Sequence, residues 1–268
     1  MILFALALLL CALPLAAQAP PATIKLTGVC ADEEIRDFGL VCDEDEPCPL
    51  YLEIAGLEIA GSRWFAAGNL HTGSSTLWSL LLMSEDGGQS WTEPWPRQRG
   101  VALDLVQFVT FEHGWVSGHL AGSLARDPFL LRTTDGGKTW RRLPLYRDST
   151  VAFIEQFWFD SPDQGTLVLQ RRGAPAAGRF QRLETSDGGS TWSVRESGDD
   201  PIAGKRPATA GPIPADWRVR GETKSNTLRL ERRDGKLWRA VSVFPLVVGQ
   251  CAPRPVEPAP EPPPEPPA

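Results

Sequence analysis

One octapeptide occurs three times in this chain at a nearly constant spacing. It reads SEDGGQSW at 84–91, TTDGGKTW at 133–140 and TSDGGSTW at 185–192. The aspartates of these copies are separated by 49 residues (86 to 135) and by 52 residues (135 to 187). A shortened copy, RRDGKLW at 232–238, places Asp234 a further 47 residues along the chain. A period of this length is typical of propeller blades and similar repeated units.

Each octapeptide lies between two short runs that are typical of β-strands. The first repeat has SLLLM before and WTEPW after, the second has FLLRT and WRRLPL, and the third has FQRLE and WSVRE. These runs alternate, contain β-branched or aromatic residues and show no helical period, so each octapeptide is predicted to be the turn of a β-hairpin. A helix is predicted only for the short segment 33–38.

Every residue type in the octapeptide has a structural task in such a turn. The aspartate can accept backbone N–H groups two or three positions on, and the glycines can take the positive φ angles of a tight turn. The Ser or Thr residues can bond across the hairpin, and the Trp ring can cover it. A carboxylate held in this way keeps a low pKa and is a poor acid catalyst. We therefore predict structural roles for Ser84, Asp86, Gly88, Trp91, Thr133, Asp135, Gly137, Trp140, Thr185, Asp187, Gly189, Trp192 and, in the worn copy, Asp234, Gly235 and Trp238.

The repeat, together with the element GWVSG at 114–118, resembles the Asp-box, or bacterial neuraminidase repeat, of photosystem II assembly and stability factor-like propellers. This resemblance covers residues 51–243 and implies an all-β fold, a β-propeller of four-stranded blades with each Asp-box between the outer two strands. The 234 residues from Gln18 to Cys251 allow four blades, or five at most. The segment 22–29 is expected to complete the last blade beside residues 241–249.

The two ends of the sequence differ from the repeated region. Residues 1–17 are apolar and are followed by small residues, which predicts a secretory signal peptide, although no Lys or Arg precedes the apolar run. An uncleaved anchor or a start codon placed too late are the alternatives. Residues 252–268 are mostly Pro, Glu and Ala, which predicts a disordered tail. The propeller domain is therefore expected to span residues 18–251.

The mature chain would hold four cysteines, an even number that favours two disulfides in an exported protein. Three pairings are possible, and we prefer Cys42 with Cys48 and Cys30 with Cys251. A zinc site is disfavoured because no histidine lies near this cluster and the spacing fits no zinc pattern. The acidic run 43–46 could attract calcium but is more typical of a solvated loop. No metal is therefore expected.

Composition and motifs argue against several classes of function. The net charge is −6 and the arginines are scattered, so no basic stripe predicts nucleic-acid binding. No phosphate-binding glycine loop and no GxSxG motif occur, so no cofactor is expected. The histidines His71, His113 and His119 are widely placed and are interpreted as surface residues.

Sialidases carry the same repeat, and for a member of that family the resemblance implies an arginine clamp and a tyrosine nucleophile. The chain has only Tyr51 and Tyr146, and the usual Arg-Ile-Pro element is absent. We therefore expect a non-enzymatic scaffold that binds an envelope or extracellular protein, or a glycan, and has no membrane span in its mature chain. The alternative is a sialidase-like glycoside hydrolase or a glycan-binding propeller. Three long loops are the first candidates for binding: 71–77, 119–128 and 171–179.

Overall fold

The computed structural model describes residues 20–147, 149–172, 178–202 and 212–253. Within these ranges the regular structure is almost entirely β-strand, and the helix α1 spans Asp32–Asp37, within one residue of its predicted position. The predicted signal peptide and residues 254–268 of the predicted tail lie outside the described residues. Both assignments, and the domain bounds 18–251, stay predictions.

The strands form four sheets, each built mainly of consecutive antiparallel hairpins. The first sheet contains β2 (Cys48–Ala60), β3 (Arg63–His71), β4 (Thr76–Ser84) and β5 (Thr92–Trp95). The second contains β6 (Val101–Phe108), β7 (Gly114–Leu120), β8 (Arg126–Thr133) and β9 (Arg141–Pro144). The third contains β10 (Ala152–Phe159), β11 (Gly165–Arg171), β12 (Phe180–Thr185) and β13 (Ser193–Gly198). The fourth contains β14 (Trp217–Glu222), β15 (Thr227–Asp234), β16 (Leu237–Pro245) and β1 (Ala22–Thr23), and β17 (Val247–Cys251) joins the first sheet beside β2.

The first three sheets share one topology, which gives each of them two distinct ends. The octapeptides connect the third strand to the fourth, and the short hairpins between the first and second strands lie at this same end, which we call the turn end. The connections between the second and third strands lie at the opposite end, which we call the loop end. All three loops predicted for binding therefore start at the loop end. Residues 173–177 of the third loop lie outside the described residues.

Buried apolar clusters stack the sheets on one another. One cluster joins the fourth sheet to the first and contains Trp217, Phe244 and Leu80, a second joins the first sheet to the second, and a third joins the second to the third. Within the residues that the structure describes, no such cluster joins the third sheet to the fourth. The sheets thus stack in the order fourth, first, second, third, as a β-propeller of about four blades.

The same aromatic arrangement recurs in two of these junctions. Phe65 of the first sheet stacks on Phe108 of the second, with ring centroids 4.1 Å apart. Trp115 of the second sheet stacks on Phe159 of the third, with ring centroids 3.7 Å apart. The octapeptide tryptophan of the following sheet lies edge-on in each case: Trp140 to both rings of the first pair, and Trp192 to Phe159 of the second. Offset and edge-on pairs of this kind add to the apolar burial that stabilises each junction.

A side-chain amide also bridges each junction by bonding to both backbone groups of one residue in the neighbouring sheet. Such an amide offers one acceptor and one donor with the spacing that a peptide group would have. The three bridges are Asn226 to Val247 (2.7 and 3.4 Å), Asn69 to Leu103 (2.9 and 3.1 Å) and Gln107 to Phe159 (2.8 and 3.0 Å). No pattern in the sequence singles these amides out.

The fourth sheet departs from the prediction that segment 22–29 and segment 241–249 together complete the last blade. Only Ala22 and Thr23 pair with β16, in parallel orientation. The second segment is divided: β16 ends at Pro245, and β17 then pairs with β2 of the first sheet. Because proline lacks the N–H that a ladder needs, the strand ends there and the chain crosses from one sheet to the next.

Candidate functional site

The three octapeptides form nearly identical turns at the turn end. In the second copy, Asp135 accepts the Thr133 hydroxyl at 2.8 Å and the Thr139 backbone N–H at 2.9 Å. The Gly137 N–H donates to Thr133 Oγ1 at 2.9 Å, and the Trp140 indole N–H donates to the Gly137 carbonyl at 3.0 Å. The first and third copies repeat this set through Ser84, Asp86, Gly88 and Trp91 and through Thr185, Asp187, Gly189 and Trp192.

The environment of the turn carboxylates suits structure better than catalysis. The pKa of Asp86 is lowered to about 2, chiefly by the hydrogen bond from the Ser90 side chain. For Asp135 and Asp187 burial opposes ionisation, but hydrogen bonds from the Thr139 and Thr191 side chains and backbone also lower the pKa to about 2. Each carboxylate lies in a different sheet and is saturated by its own turn. The structure therefore does not bring the octapeptide residues together into one site.

The fourth copy has a different geometry. Asp234 pairs with Leu237 across a two-residue turn, in which Gly235 has a φ of 62°. The Asp234 carboxylate accepts from Arg239 instead of from the turn backbone, and the Arg218 guanidinium lies over the Trp238 ring at 4.5 Å. Asp234, Gly235 and Trp238 therefore form a hairpin turn that does not repeat the octapeptide geometry. The copy is one residue shorter and has Arg232 and Leu237 where the other copies have hydroxyl side chains.

Two disulfides are present. Cys30 bonds to Cys251 and Cys42 to Cys48, with Cα–Cα distances of 4.9 and 5.4 Å. The acidic run enclosed by the second bond folds on itself, since Asp43 accepts the Glu46 backbone N–H at 2.6 Å. Among the described residues, no group of His, Cys, Asp and Glu side chains is arranged to hold a metal ion.

The three histidines lie apart and make local contacts. His113 lies in a turn-end hairpin, where its Nδ1 is 3.0 Å from the Thr110 hydroxyl. His71 bonds the Thr72 carbonyl through Nδ1 at 2.8 Å. His119 lies 3.0 Å from Asp104, a residue in the bulge of the innermost strand β6. The pairing of Asp104 with His119 was not predicted, because bulges leave no regular signal in the sequence.

A polar pocket opens at the loop end between the first and second sheets. It has a volume of about 430 Å³ and is lined by Asp37, Phe38, Ser74–Thr76 and Ala121–Ser123. Arg99 holds helix α1 at its edge, because the guanidinium contacts Glu34 at 3.1 Å and Asp37 at 2.8 Å and lies over the Phe38 ring. The hydrogen bond from Arg99 lowers the pKa of Asp37. Two of the three predicted binding loops therefore meet around one pocket.

A second feature of the loop end is a group of arginines at the third sheet. Arg171 lies over the Tyr146 ring at 5.8 Å, and Arg172 is exposed beside it. In the described ranges, neither forms an ion pair with a carboxylate, and the buried Nε of Arg171 has no hydrogen-bond partner. Arg179 lies close enough to Glu155 to oppose part of the pKa increase that burial causes there. Among the described residues, Arg171 and Arg172 thus lie at the loop end without a carboxylate partner, and Arg172 is exposed.

Tyr146, the residue relevant to the glycosidase alternative, lies beside these arginines. Its hydroxyl is 3.5 Å from Gln181 Oε1. Burial raises the pKa of Tyr146, and the nearby Arg171 offsets this only in part. Tyr51 packs against the ring of His71 instead, with centroids 5.7 Å apart.

Comparison with known proteins finds distant likeness only. No family model matches the chain, and no curated protein is significantly similar in sequence. Among solved structures, the chain is similar to YCF48 bound to a D1 peptide (TM-score 0.40, 16% identity), over 72% of this chain and 57% of that one. It is also similar to the GH74 xyloglucanase from Xanthomonas campestris (TM-score 0.38, 15% identity), over 74% of this chain and 30% of that one. At such values the likeness concerns the fold alone.

In the part of the chain that the structure describes, no helix is long and apolar enough to cross a membrane.

Proposed function

We propose that the protein is a non-enzymatic propeller scaffold, exported to the bacterial envelope or beyond it, whose loop end binds a polar, acidic segment of a partner protein. One observation carries this proposal: the loop end combines a polar pocket of about 430 Å³ with arginines that no carboxylate of the described chain neutralises. Ten of the twenty arginines in the described residues form an ion pair with a carboxylate, for example Arg97 with Glu93 at 2.7 Å.

The chemistry of the loop end favours a peptide over an apolar ligand. The pocket offers hydroxyl groups from Ser74, Ser75 and Ser123 together with backbone groups of small residues, all of which suit hydrogen bonds to a peptide. Guanidinium groups bind carboxylates through two parallel hydrogen bonds, so Arg171 and Arg172 suit acidic side chains.

The surroundings of Tyr146 support a role without catalysis. A tyrosine nucleophile needs a neighbouring base and a lowered pKa. Tyr146 instead has a raised pKa, and its hydroxyl faces the amide of Gln181, which is not a base. The two disulfides fit an oxidising compartment and so support export.

Site-specific photo-crosslinking in the producing cells tests the proposal. A photoreactive amino acid at Ser123, in the loop-end pocket, should give one discrete adduct with a partner protein. The same amino acid at Gln89, an exposed residue of the first octapeptide turn, is the matched control and should give none.

A charge reversal provides a second arm of the test. Arg172→Glu should reduce the adduct yield from Ser123 by tenfold or so, on the order of one lost charge-assisted contact. Arg141→Glu, at the turn end, is the control and should leave the yield unchanged. Adducts from Gln89 alone would contradict the proposal. So would release of product from a fluorogenic sialoside by the purified protein, if Tyr146→Phe abolished that release.

A further inference from the structure

At the turn end, the carboxyl group of Glu58 in the first sheet occupies the position that the amide of Gln107 occupies in the second sheet. Glu58 of β2 pairs with Phe65 of β3, and Gln107 of β6 pairs with Trp115 of β7. Phe65 and Trp115 are the two rings that stack on the next sheet, on Phe108 and Phe159 respectively. Glu58 is therefore placed relative to Phe108 of the second sheet as Gln107 is placed relative to Phe159 of the third sheet.

The hydrogen bonds of Gln107 show what this position does. Its Oε1 accepts the Phe159 backbone N–H at 2.8 Å, and its Nε2 donates to the Phe159 carbonyl at 3.0 Å. Glu58 and Phe108 line the same turn-end cavity, where burial raises the pKa of Glu58 and hydrogen bonding from the Phe108 backbone to the Glu58 carboxyl lowers it. A carboxylate has no donor to offer a carbonyl, whereas a neutral carboxyl group has one O–H. Only the protonated form of Glu58 can therefore complete the pair of bonds that Gln107 makes.

We propose that Glu58 is a proton-operated clamp between the first and second sheets. In the neutral form its O–H donates to the Phe108 carbonyl and closes the turn end of this junction. When the proton leaves, the carboxylate faces that carbonyl without a donor between them, and the junction loosens. The turn-end pocket is where it would open: a cavity of about 460 Å³ lined by Glu58–Gly61 and Phe108–Glu112, with the Phe111 ring 57% exposed at its edge.

The electrostatics of the site agree with this geometry. Burial raises the pKa of Glu58 to about 7, and the hydrogen bond from Phe108 opposes the increase. The charged groups of the surrounding elements are Arg63 and Glu85, which pair with each other at 3.5 Å, Glu112 and His113 of the next hairpin, and Asp135 and Lys138 of the second octapeptide. None of them forms an ion pair with Glu58. The clamp would thus respond to pH near neutrality.

The direction of the pH effect follows from linkage. The folded protein would hold the Glu58 proton up to about pH 7, whereas the unfolded chain releases it near the ordinary glutamate pKa of 4.5. The contribution of the clamp to stability is therefore complete below about pH 4.5 and is lost as the pH rises through 7. Between pH 5 and pH 8 the folding equilibrium constant should fall roughly fifty- to hundredfold from this group.

The test compares urea unfolding of the mature protein from pH 5 to pH 8 with that of three variants. Glu58→Gln supplies a permanent donor, so it should remove this fall and be more stable than the wild type at pH 8. Gln107→Glu should introduce a new fall of the same sign at the next junction. Glu112→Gln changes a carboxylate of the same pocket without touching the clamp, and its profile should match that of the wild type.

A local measurement separates the clamp from other titrating groups. Carboxyl carbon signals of isotope-labelled protein should include one glutamate that titrates near pH 7 and is missing in Glu58→Gln. Amide exchange in residues 108–113 should increase above pH 7 in the wild type, after correction for intrinsic exchange, and not in that variant. A Glu58→Gln protein with the wild-type pH profile would overturn the proposal. A Glu58 signal that titrates below pH 5 would also overturn it.

Discussion

The three octapeptide turns and the turn of the fourth sheet start from similar sequences and end in different structures. Each octapeptide turn lies against the preceding sheet: the Gly88 carbonyl accepts the Ser242 hydroxyl at 2.6 Å, and the Gly188 carbonyl accepts the Trp115 indole N–H at 3.0 Å. Around Gly235 of the fourth turn, by contrast, a Cβ atom would meet nothing within 4 Å. The full motif is therefore present where a neighbouring sheet packs on it, and the shortened copy lies where none of the described sheets does.

The octapeptide combines two structural contributions: it reverses the chain, and it connects the turn to the surrounding sheets. A two-residue turn that begins with glycine suffices to reverse the chain, as Gly235 and Lys236 show between the paired residues Asp234 and Leu237. The remaining octapeptide residues connect the turn to its own sheet and to the sheet before it. The motif residues thus stabilise contacts between sheets as well as the local turn. Equivalent substitutions in an octapeptide turn and in the fourth turn can measure how much the contacts between sheets contribute to stability.

The largest expected difference is at the tryptophans. Trp140 is buried, with 8% of its surface exposed, and lies edge-on to Phe65 and Phe108. Trp140→Ala should lower the free energy of unfolding by about 3–5 kcal/mol, because a large cavity opens between two sheets. Trp238→Ala, in the fourth turn, should cost less than about 1 kcal/mol. Equal losses in urea unfolding would show that the fourth turn packs like the others.

The second glycines of the turns should show the next largest difference. Gly137 has a φ of 85°, and a Cβ there would come within 2.4 Å of the Phe65 ring. Gly137→Ala should cost about 2–4 kcal/mol, from backbone strain together with overpacking. Gly235 also has a positive φ but has free space around it, so Gly235→Ala should cost only about 1–2 kcal/mol, from strain alone. Thermal unfolding of both variants checks the ranking.

The aspartates should differ in size of effect and in pH dependence. Asp135→Asn weakens hydrogen bonds to Thr133 and Thr139 and should cost about 1–2 kcal/mol at pH 7. Asp234→Asn should cost less than about 0.5 kcal/mol, because it removes an exposed ion pair with Arg239.

The pH dependence of Asp135 has a defined sign. The pKa of Asp135 is lowered from 3.8 to about 2, so its contribution is present above about pH 4 and is lost as the pH falls toward 2. Acid unfolding of Asp135→Asn should consequently be less steep in this window than that of the wild type. An unchanged acid profile would show that the carboxylate is not held as its hydrogen bonds indicate.

The smallest effect is expected from restoring the motif where it is worn. Replacing residues 232–238 with TTDGGKTW should change the free energy of unfolding by no more than about 0.5 kcal/mol, provided that the hairpin register is kept. In the part of the chain that the structure describes, no sheet packs against this turn, so the added side chains gain few contacts. A stabilisation of 2 kcal/mol or more, on the scale of a core contact, would mean that a sheet does pack there.

The repeat made the sheets and their hairpins predictable from the sequence, because strand alternation and turn chemistry are local. The path of the last strand was not, since Pro245 sends β17 to the first sheet through contacts some 200 residues apart along the chain, such as Gln250 with Pro49. The bridging role of the amides Asn69 and Gln107 was equally unpredictable from the sequence, because each amide bonds to the backbone of a residue in another sheet.

The candidate site was likewise only partly predictable from the sequence. The loops at 71–77 and 119–128 stand out by their length and composition, and they meet around one pocket. The contribution of helix α1 to that pocket depends on Arg99, which no motif identifies. The equivalence of Glu58 and Gln107 became visible only once the strand register aligned them.

The crossing of β17 has a consequence for the order in which the protein can be made. The first sheet is among the earliest parts of the chain to be synthesised, yet its innermost strand and the partner of Cys30 belong to residues 247–251. The first sheet and its disulfide can therefore be completed only after residue 251 has been synthesised. Until then the edge of β2 that β17 covers is free, so the growing chain carries an unpaired strand edge that is open to wrong pairing during synthesis.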